Sequence, residues 1–264
     1  MKIITVTINK GGTGKSTISF NLADYLTVVR HKKVLLLDGD TSTNLSFSFK
    51  NLNETSMYDL FTGSTVKINQ INDNLDFIKG SELLNDDDLD LKSKQNNCLQ
   101  LFMWFANHPE IEQTYDYVII DTHNDKSLVT SNFIAVADTV LGVAEPSRNG
   151  LRAWFELTDT VKYLKDNVVE PLTKKSYIEC QEYIIANKVE FFGNNLPHSS
   201  KEFLGAVEDD KRYLGMIAKK ELLASSLLNN QGIFSARAEN PKLGLKHVDF
   251  YKNIETVFDR VINL

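Results

Sequence analysis

The stretch Lys10-Gly11-Gly12-Thr13-Gly14-Lys15-Ser16-Thr17 constrains this chain more than any other, because it places a glycine-rich loop with two lysines between a strand and a helix. Ahead of it runs the apolar Ile3-Ile4-Thr5-Val6-Thr7-Ile8, and beyond it Ile18, Leu22, Tyr25, Leu26 and Val29 recur on one helical face. Gly11, Gly12 and Gly14 allow backbone N–H groups to curl round a β-phosphate, where the helix N-terminus adds partial positive charge. Lys15 then reaches the β- and γ-phosphates, Ser16 offers a hydroxyl to Mg²⁺, and Thr13 and Thr17 complete the nucleotide-binding loop. The common form G-x-x-x-x-G-K-[ST] asks for glycine where this chain has Asn9, and the extra Lys10 arrives with that departure.

Strand-like runs at Val34–Leu37, Leu75–Ile78, Tyr117–Ile120, Val140–Val143, Tyr183–Ala186 and Leu214–Ile217 alternate with helical patterns near residues 96–107, 127–137, 150–166, 199–208 and 221–229. Several of these strands are almost continuously apolar, as parallel strands covered on both faces must be. Right-handed βαβ crossovers follow, and the expected fold is an α/β, doubly wound, mostly parallel sheet with helices on both faces and ligands at the carboxyl ends of its strands. A last helix carrying Phe250, Ile254, Val257, Phe258, Val261 and Ile262 on one face is expected to dock on the same body. The 264 residues form one expected P-loop domain, with no helix-turn-helix extension before the first strand.

Two acidic elements fall on the nucleotide side of such a sheet. Asp38-Gly39-Asp40 follows the second strand, so that one carboxylate could hold Mg²⁺ or its water shell while the other orients an attacking water; the alternative is an aspartate-rich turn. Tyr115-Asp116-Tyr117-Val118-Ile119-Ile120-Asp121 is a hydrophobic strand ending in an acid, which would hold hydrated Mg²⁺ between the β- and γ-phosphates. His123, just after it, reads as a turn residue. Asn187 ends the strand Tyr183–Ala186, where asparagine is often a turn former; its amide can also donate and accept.

The loop closely resembles the deviant Walker A motif of the ParA/MinD family of P-loop ATPases, usually K-G-G-x-G-K-[ST]. That resemblance implies ATP and Mg²⁺ as ligands and a homodimer formed on ATP binding, with Lys10 crossing the interface to the partner's nucleotide. Asp38 and Asp40 match the family's A′ motif, D-x-D-P-Q, which assigns Asp40 to hydrolysis and joins Asp38 to Ser16 and Asp121 as metal-site residues. The same resemblance implies that Asn187 reads the adenine edge. Thr41-Ser42 replaces the Pro-Gln, and Thr122-His123-Asn124-Asp125 replaces the usual proline-containing turn after the Walker B acid.

Within the family, the chain is most similar to short ParA-type DNA-partition ATPases, which implies nonspecific DNA binding, a centromere-binding ParB-like partner and a cytoplasmic, nucleoid-associated location. The formal net charge of −6 requires any DNA contact to use a local patch. Residues 211–246 supply one, with seven basic side chains against two acidic ones; Lys219, Lys220 and Arg237 are the candidate contacts. A MinD-like membrane ATPase is the alternative, but the last helix pairs Lys252 and Arg260 with Glu255 and Asp259 and lacks the polybasic edge that membrane binding uses. A weakly hydrolysing scaffold is a further alternative, raised by the altered turn after Asp121. The two cysteines, Cys98 and Cys180, lack the spacing for a metal cluster and fit a reduced compartment. The run Asn85–Asp90 is expected to be a solvated loop or a helix start.

Overall fold

A computed structural model describes residues 1–193 and 195–264. Its centre is an eight-stranded sheet of β1 (Lys2–Thr7), β2 (Val34–Gly39), β3 (Asn69–Gln70), β4 (Leu75–Ile78), β5 (Tyr117–Thr122), β6 (Thr139–Ala144), β7 (Gln181–Val189) and β8 (Tyr213–Ala218), in the order β3-β4-β2-β5-β1-β6-β7-β8. Every pairing is parallel except β3 with β4. The strand β1 lies between β5 and β6, so the loop leaving its carboxyl end opens beside the ends of β2, β5 and β7.

Among the described residues, eleven α-helices cover the sheet: α1 (Lys15–Val28), α2 (Met57–Thr62), α3 (Gln100–Asn107), α4 (Pro109–Thr114), α5 (Leu128–Ala135), α6 (Arg148–Asn167), α7 (His198–Val207), α8 (Glu221–Ala224), α9 (Ile233–Glu239), α10 (Pro241–Lys246) and α11 (Val248–Ile262). The two-residue period of a strand sends its side chains to both faces. Thus Leu36 and Ile119 pack with α1, α9 and α11, whereas Leu35, Leu37, Val118 and Ile120 pack with α2, α3 and α5. Both faces are dry, which is why these strands read as unbroken apolar runs. At the other end, β6 and β7 bury Val140, Ile184 and Ala186 against α6 and α7, with Trp154 at the centre.

The terminal helix docks as its pattern predicts. Phe250, Ile254, Val257, Phe258 and Val261 are all buried beside α1 and β8, each contributing roughly 1.5–3 kcal/mol. The helical pattern expected over 221–229 shortens to α8, and that over 96–107 begins only at Gln100. Four short helices (α2, α4, α9 and α10) and the edge strand β3 were not expected; six or seven residues are too few to show a 3.6-residue period. Their start signals are nonetheless present: Ser56 and Asp59 form a capping box on α2, and Pro109 and Pro241 open α4 and α10. In the acidic run one carboxylate is structural, because Asp86 accepts the N–H groups of Leu128 (3.0 Å) and Val129 (3.1 Å) at the start of α5.

Candidate functional site

The loop between β1 and α1 holds Gly12 and Gly14 at φ of 76° and 93°, a left-handed backbone that favours glycine. Crowding adds to the constraint at Gly14, where a Cβ would fall 2.5 Å from Asn187 Nδ2. The loop opens on a cavity of about 800 Å³ lined by residues 12–17, Asp40, Asn124, Asn187 and Lys188, large enough for a nucleotide. Lys15 is buried in the first turn of α1. Burial lowers its ammonium pKa, and the negative charges of Asp121, Asp40 and Asp125 act in the opposite direction.

Asp38 and Asp121 lie in register across the adjacent strands β2 and β5, and Asp40 follows directly after β2. Asp121 is fully buried; Ser19 Oγ donates to its Oδ1 at 3.0 Å, while its Oδ2 has no partner among the described residues. Burial, then the charge of Asp38, pushes its pKa up to about 7, against the pull of Ser16 and Lys15. An unpartnered buried carboxylate oxygen near the Ser16 hydroxyl fits a magnesium ion, which takes few protein ligands and completes its shell with phosphate and water. Asp38 is also fully buried, and burial raises its pKa to about 6. Its oxygens receive Asp40 N (3.2 Å), Ser46 N (2.9 Å) and Ser46 Oγ (2.6 Å), so it braces the loop after β2 as well as facing Asp121.

Asp40 lines the cavity, and its Oδ1 collects Ser42 N (2.8 Å), Ser42 Oγ (2.7 Å) and His123 Nδ1 (2.7 Å). Burial would raise this carboxyl, but hydrogen bonds from Ser42 and His123 outweigh it and hold the pKa below the usual aspartate value. His123, read above as a turn residue, therefore has a specific partner in the site.

Asn187 donates from Nδ2 to the Thr13 carbonyl at 2.8 Å, tying β7 to the loop. Its Oδ1 and the Thr13 hydroxyl are buried and have no partner among the described residues, and both residues line the cavity. Lys188 has φ of 57° at a register shift in β7, a bulge that turns its ammonium onto the Gly12 carbonyl and to 3.3 Å from Glu145. Glu145 also pairs with Lys10 at 3.4 Å, and Ser147 Oγ, which caps α6 by accepting from Gly150 N, accepts from Lys10 at 3.2 Å. Lys10 is thus tethered beside the cavity within its own chain. Sequence alone assigned no role to Glu145 or Lys188, although Glu145 follows β6 beside β1 and Lys188 lies near the end of β7, one strand further out, on the side where the parallel topology gathers ligand groups.

The basic segment is less uniform than its composition. Arg237 departs from the expectation of a phosphate contact: it pairs with Glu255 at 2.6 Å and lies over the rings of Phe234 and Tyr251. Arg212 is likewise held by Asp210 and Glu182. Lys219 and Lys220 are exposed, Lys219 paired with Glu190 at 2.5 Å, and both also line the nucleotide cavity. No helix among the described residues is long and apolar enough to cross a membrane. Both cysteines are free, and Cys180 is buried in the core between β6, β7 and α6.

A sequence profile of the AAA domain family matches residues 1–174. The chain is 29% identical over 172 residues to the chromosome-partitioning ATPase Soj of Treponema pallidum, a match covering 63% of this chain and 66% of that protein. Among solved structures, apo McdA of Cyanothece superposes with a TM-score of 0.81 at 22% identity, covering 99% of each chain. A putative plasmid partition protein of Borrelia burgdorferi bound to AMPPNP gives 0.77 at 21% identity, covering 99% of this chain and 98% of the other. At these identities the two structures speak for the fold, and their arrangement is the same mostly parallel sheet between helices.

Proposed function

Because this chain belongs to the AAA domain family, as a ParA/MinD-type P-loop ATPase, we propose that it is a DNA-partition ATPase whose ATP-bound form is a two-fold sandwich dimer. One observation carries this reading: Lys15 and Asp40 line a glycine-edged cavity, the buried Asp121 lies close enough to act on the charge of Lys15, and Lys10 waits on the same loop, paired with Glu145. Loop amides and Lys15 hold the triphosphate. Mg²⁺ would be held by Ser16 and, through water, by Asp121 and Asp38, and when bound it neutralises charge on the β- and γ-phosphates. Asp40 orients the attacking water. Lys10 leaves Glu145 and reaches the partner's nucleotide, so two copies associate only when ATP lies between them. Hydrolysis resets the protein, and the cognate stimulator is a ParB-like, centromere-binding protein.

Removing the water-orienting acid separates binding from turnover. Asp40→Ala is expected to bind ATP and remain dimeric, with phosphate release slowed by about a hundredfold or more, the usual scale for losing a positioned proton acceptor. Steady-state phosphate release beside sedimentation in ATP checks this; wild-type turnover would take Asp40 out of the reaction.

The ATP dimer binds DNA without sequence preference through exposed lysines, Lys219 and Lys220 foremost. Replacing both with Glu is expected to weaken binding and to lower the slope of log affinity against log salt by about 1 for each lost phosphate contact. Gel shifts across a salt series, with ATP affinity measured on the same variant, provide the check. An equal loss of ATP affinity would place the two lysines at the nucleotide instead. The apolar face of α11 is buried in the core, which disfavours the MinD-like membrane reading. A scaffold that scarcely hydrolyses ATP would be recognised by absent phosphate release even with DNA and partner present.

A further inference from the structure

We propose that His123 is a positioning residue for hydrolysis, holding the Asp40 carboxylate so that its second oxygen meets the attacking water; this rests on Asp40 being the water-orienting acid. Three donors gather on Asp40 Oδ1: Ser42 N at 2.8 Å, Ser42 Oγ at 2.7 Å and His123 Nδ1 at 2.7 Å. Among the described residues no donor reaches Oδ2, and the side chain lines the nucleotide cavity. One oxygen is clamped and the other is presented. A carboxylate on a short turn has two rotatable bonds, and a displacement of about 1 Å is enough to cost a hundredfold in rate.

The residues that make this clamp are the chain's own departures from the pattern of the family it resembles. Thr41 and Ser42 stand where Pro-Gln is usual, and Thr122-His123-Asn124 stands where a proline-containing turn is usual. In the fold these two replacements meet: Ser42 and His123 share one carboxylate oxygen, and Thr41 Oγ1 lies 3.4 Å from His123 Nδ1. Thr122 anchors the histidine-bearing loop by donating to the Val6 carbonyl at 3.1 Å, so the imidazole arrives on a fixed support. A neutral imidazole with its proton on Nδ1 is sufficient, because a carboxylate accepts and the ring need only donate. His123 transfers no proton to the nucleotide; it acts through Asp40.

The test uses the full chain with ATP, Mg²⁺ and DNA, and compares single-turnover phosphate release with affinity for a fluorescent ATP analogue. His123→Ala is expected to lower the turnover rate about ten- to a hundredfold while ATP affinity changes by less than about twofold. Asparagine can place an amide N–H near the position of Nδ1, whereas glutamine places it near Nε2. His123→Asn should therefore recover most of the rate and His123→Gln should not, a contrast that a merely structural role would not produce and that remains readable if the alanine variant folds poorly. In an Asp40→Ala background, His123→Ala should cost nothing further. Wild-type turnover in His123→Ala, equal rates in the Asn and Gln variants, or an additive loss in the double variant would overturn the proposal. If the wild-type protein releases no phosphate, or Asp40→Ala turns over normally, the role of Asp40 itself fails and takes this one with it. An inactive Asp40→Ala beside a fully active His123→Ala removes only the positioning role.

Discussion

Lys15→Ala is expected to lower ATP affinity by about a hundredfold or more, leaving no nucleotide-dependent behaviour at working concentrations. Two effects act together. The variant loses a charge-assisted contact to the β- and γ-phosphates, and it leaves Asp121 and Asp40 without the buried cation that now faces them. A triphosphate entering that site would meet uncompensated negative charge. Titration with a fluorescent ATP analogue or by calorimetry measures the effect, and an affinity within about tenfold of wild type would show that the loop amides alone suffice. The variant is expected to stay folded, because α1 is held by Ile18, Leu22, Tyr25 and Leu26 in the core and not by its first residue.

Lys10→Ala is expected to behave in the opposite way, binding ATP but not using it. Lys10 pairs with Glu145 and Ser147 beside the nucleotide cavity, so its loss removes little from the monomer's own grip on ATP. A cation supplied across an interface to a transferring phosphoryl group is worth about 10³ or more in rate, and turnover should fall on that scale. Freeing Lys10 for this role costs little, since its 3.4 Å pair with Glu145 is about a quarter to a third exposed and such pairs contribute about 0–1 kcal/mol. Phosphate release at saturating ATP, compared with ATP affinity, gives the readout. Turnover reduced only in proportion to affinity would place Lys10 on its own subunit's nucleotide.

The phosphate loop was legible because its chemistry is local: glycines, lysines and a hydroxyl within eight consecutive residues, framed by a two-residue and then a 3.6-residue apolar period. The strands were legible for the same reason, since burial on both faces leaves each a short apolar run. What the sequence concealed is what depends on backbone torsion or on distant partners. Nothing in Asn187-Lys188 announces the positive φ that turns Lys188 back onto Gly12. His123 follows the Walker B strand by two residues, yet its partner Asp40 lies 83 positions earlier and is brought to it only by the β2–β5 register. The basic segment misled in a related way: counting charges between residues 211 and 246 credits Arg212 and Arg237 to the surface, whereas Glu182 and Glu255, both outside that window, neutralise them. The short helices were missed because α4 and α10 are a proline followed by five residues, too brief for periodicity to register.

Sedimentation velocity of the wild-type protein and Lys10→Ala, each without nucleotide, with ADP and with a non-hydrolysable ATP analogue, tests most directly whether each subunit completes its neighbour's nucleotide site. Dimers are expected only for the wild type and only with the ATP analogue. A dimer indifferent to nucleotide, or one that Lys10→Ala forms as readily as wild type, would contradict a lysine donated across the interface.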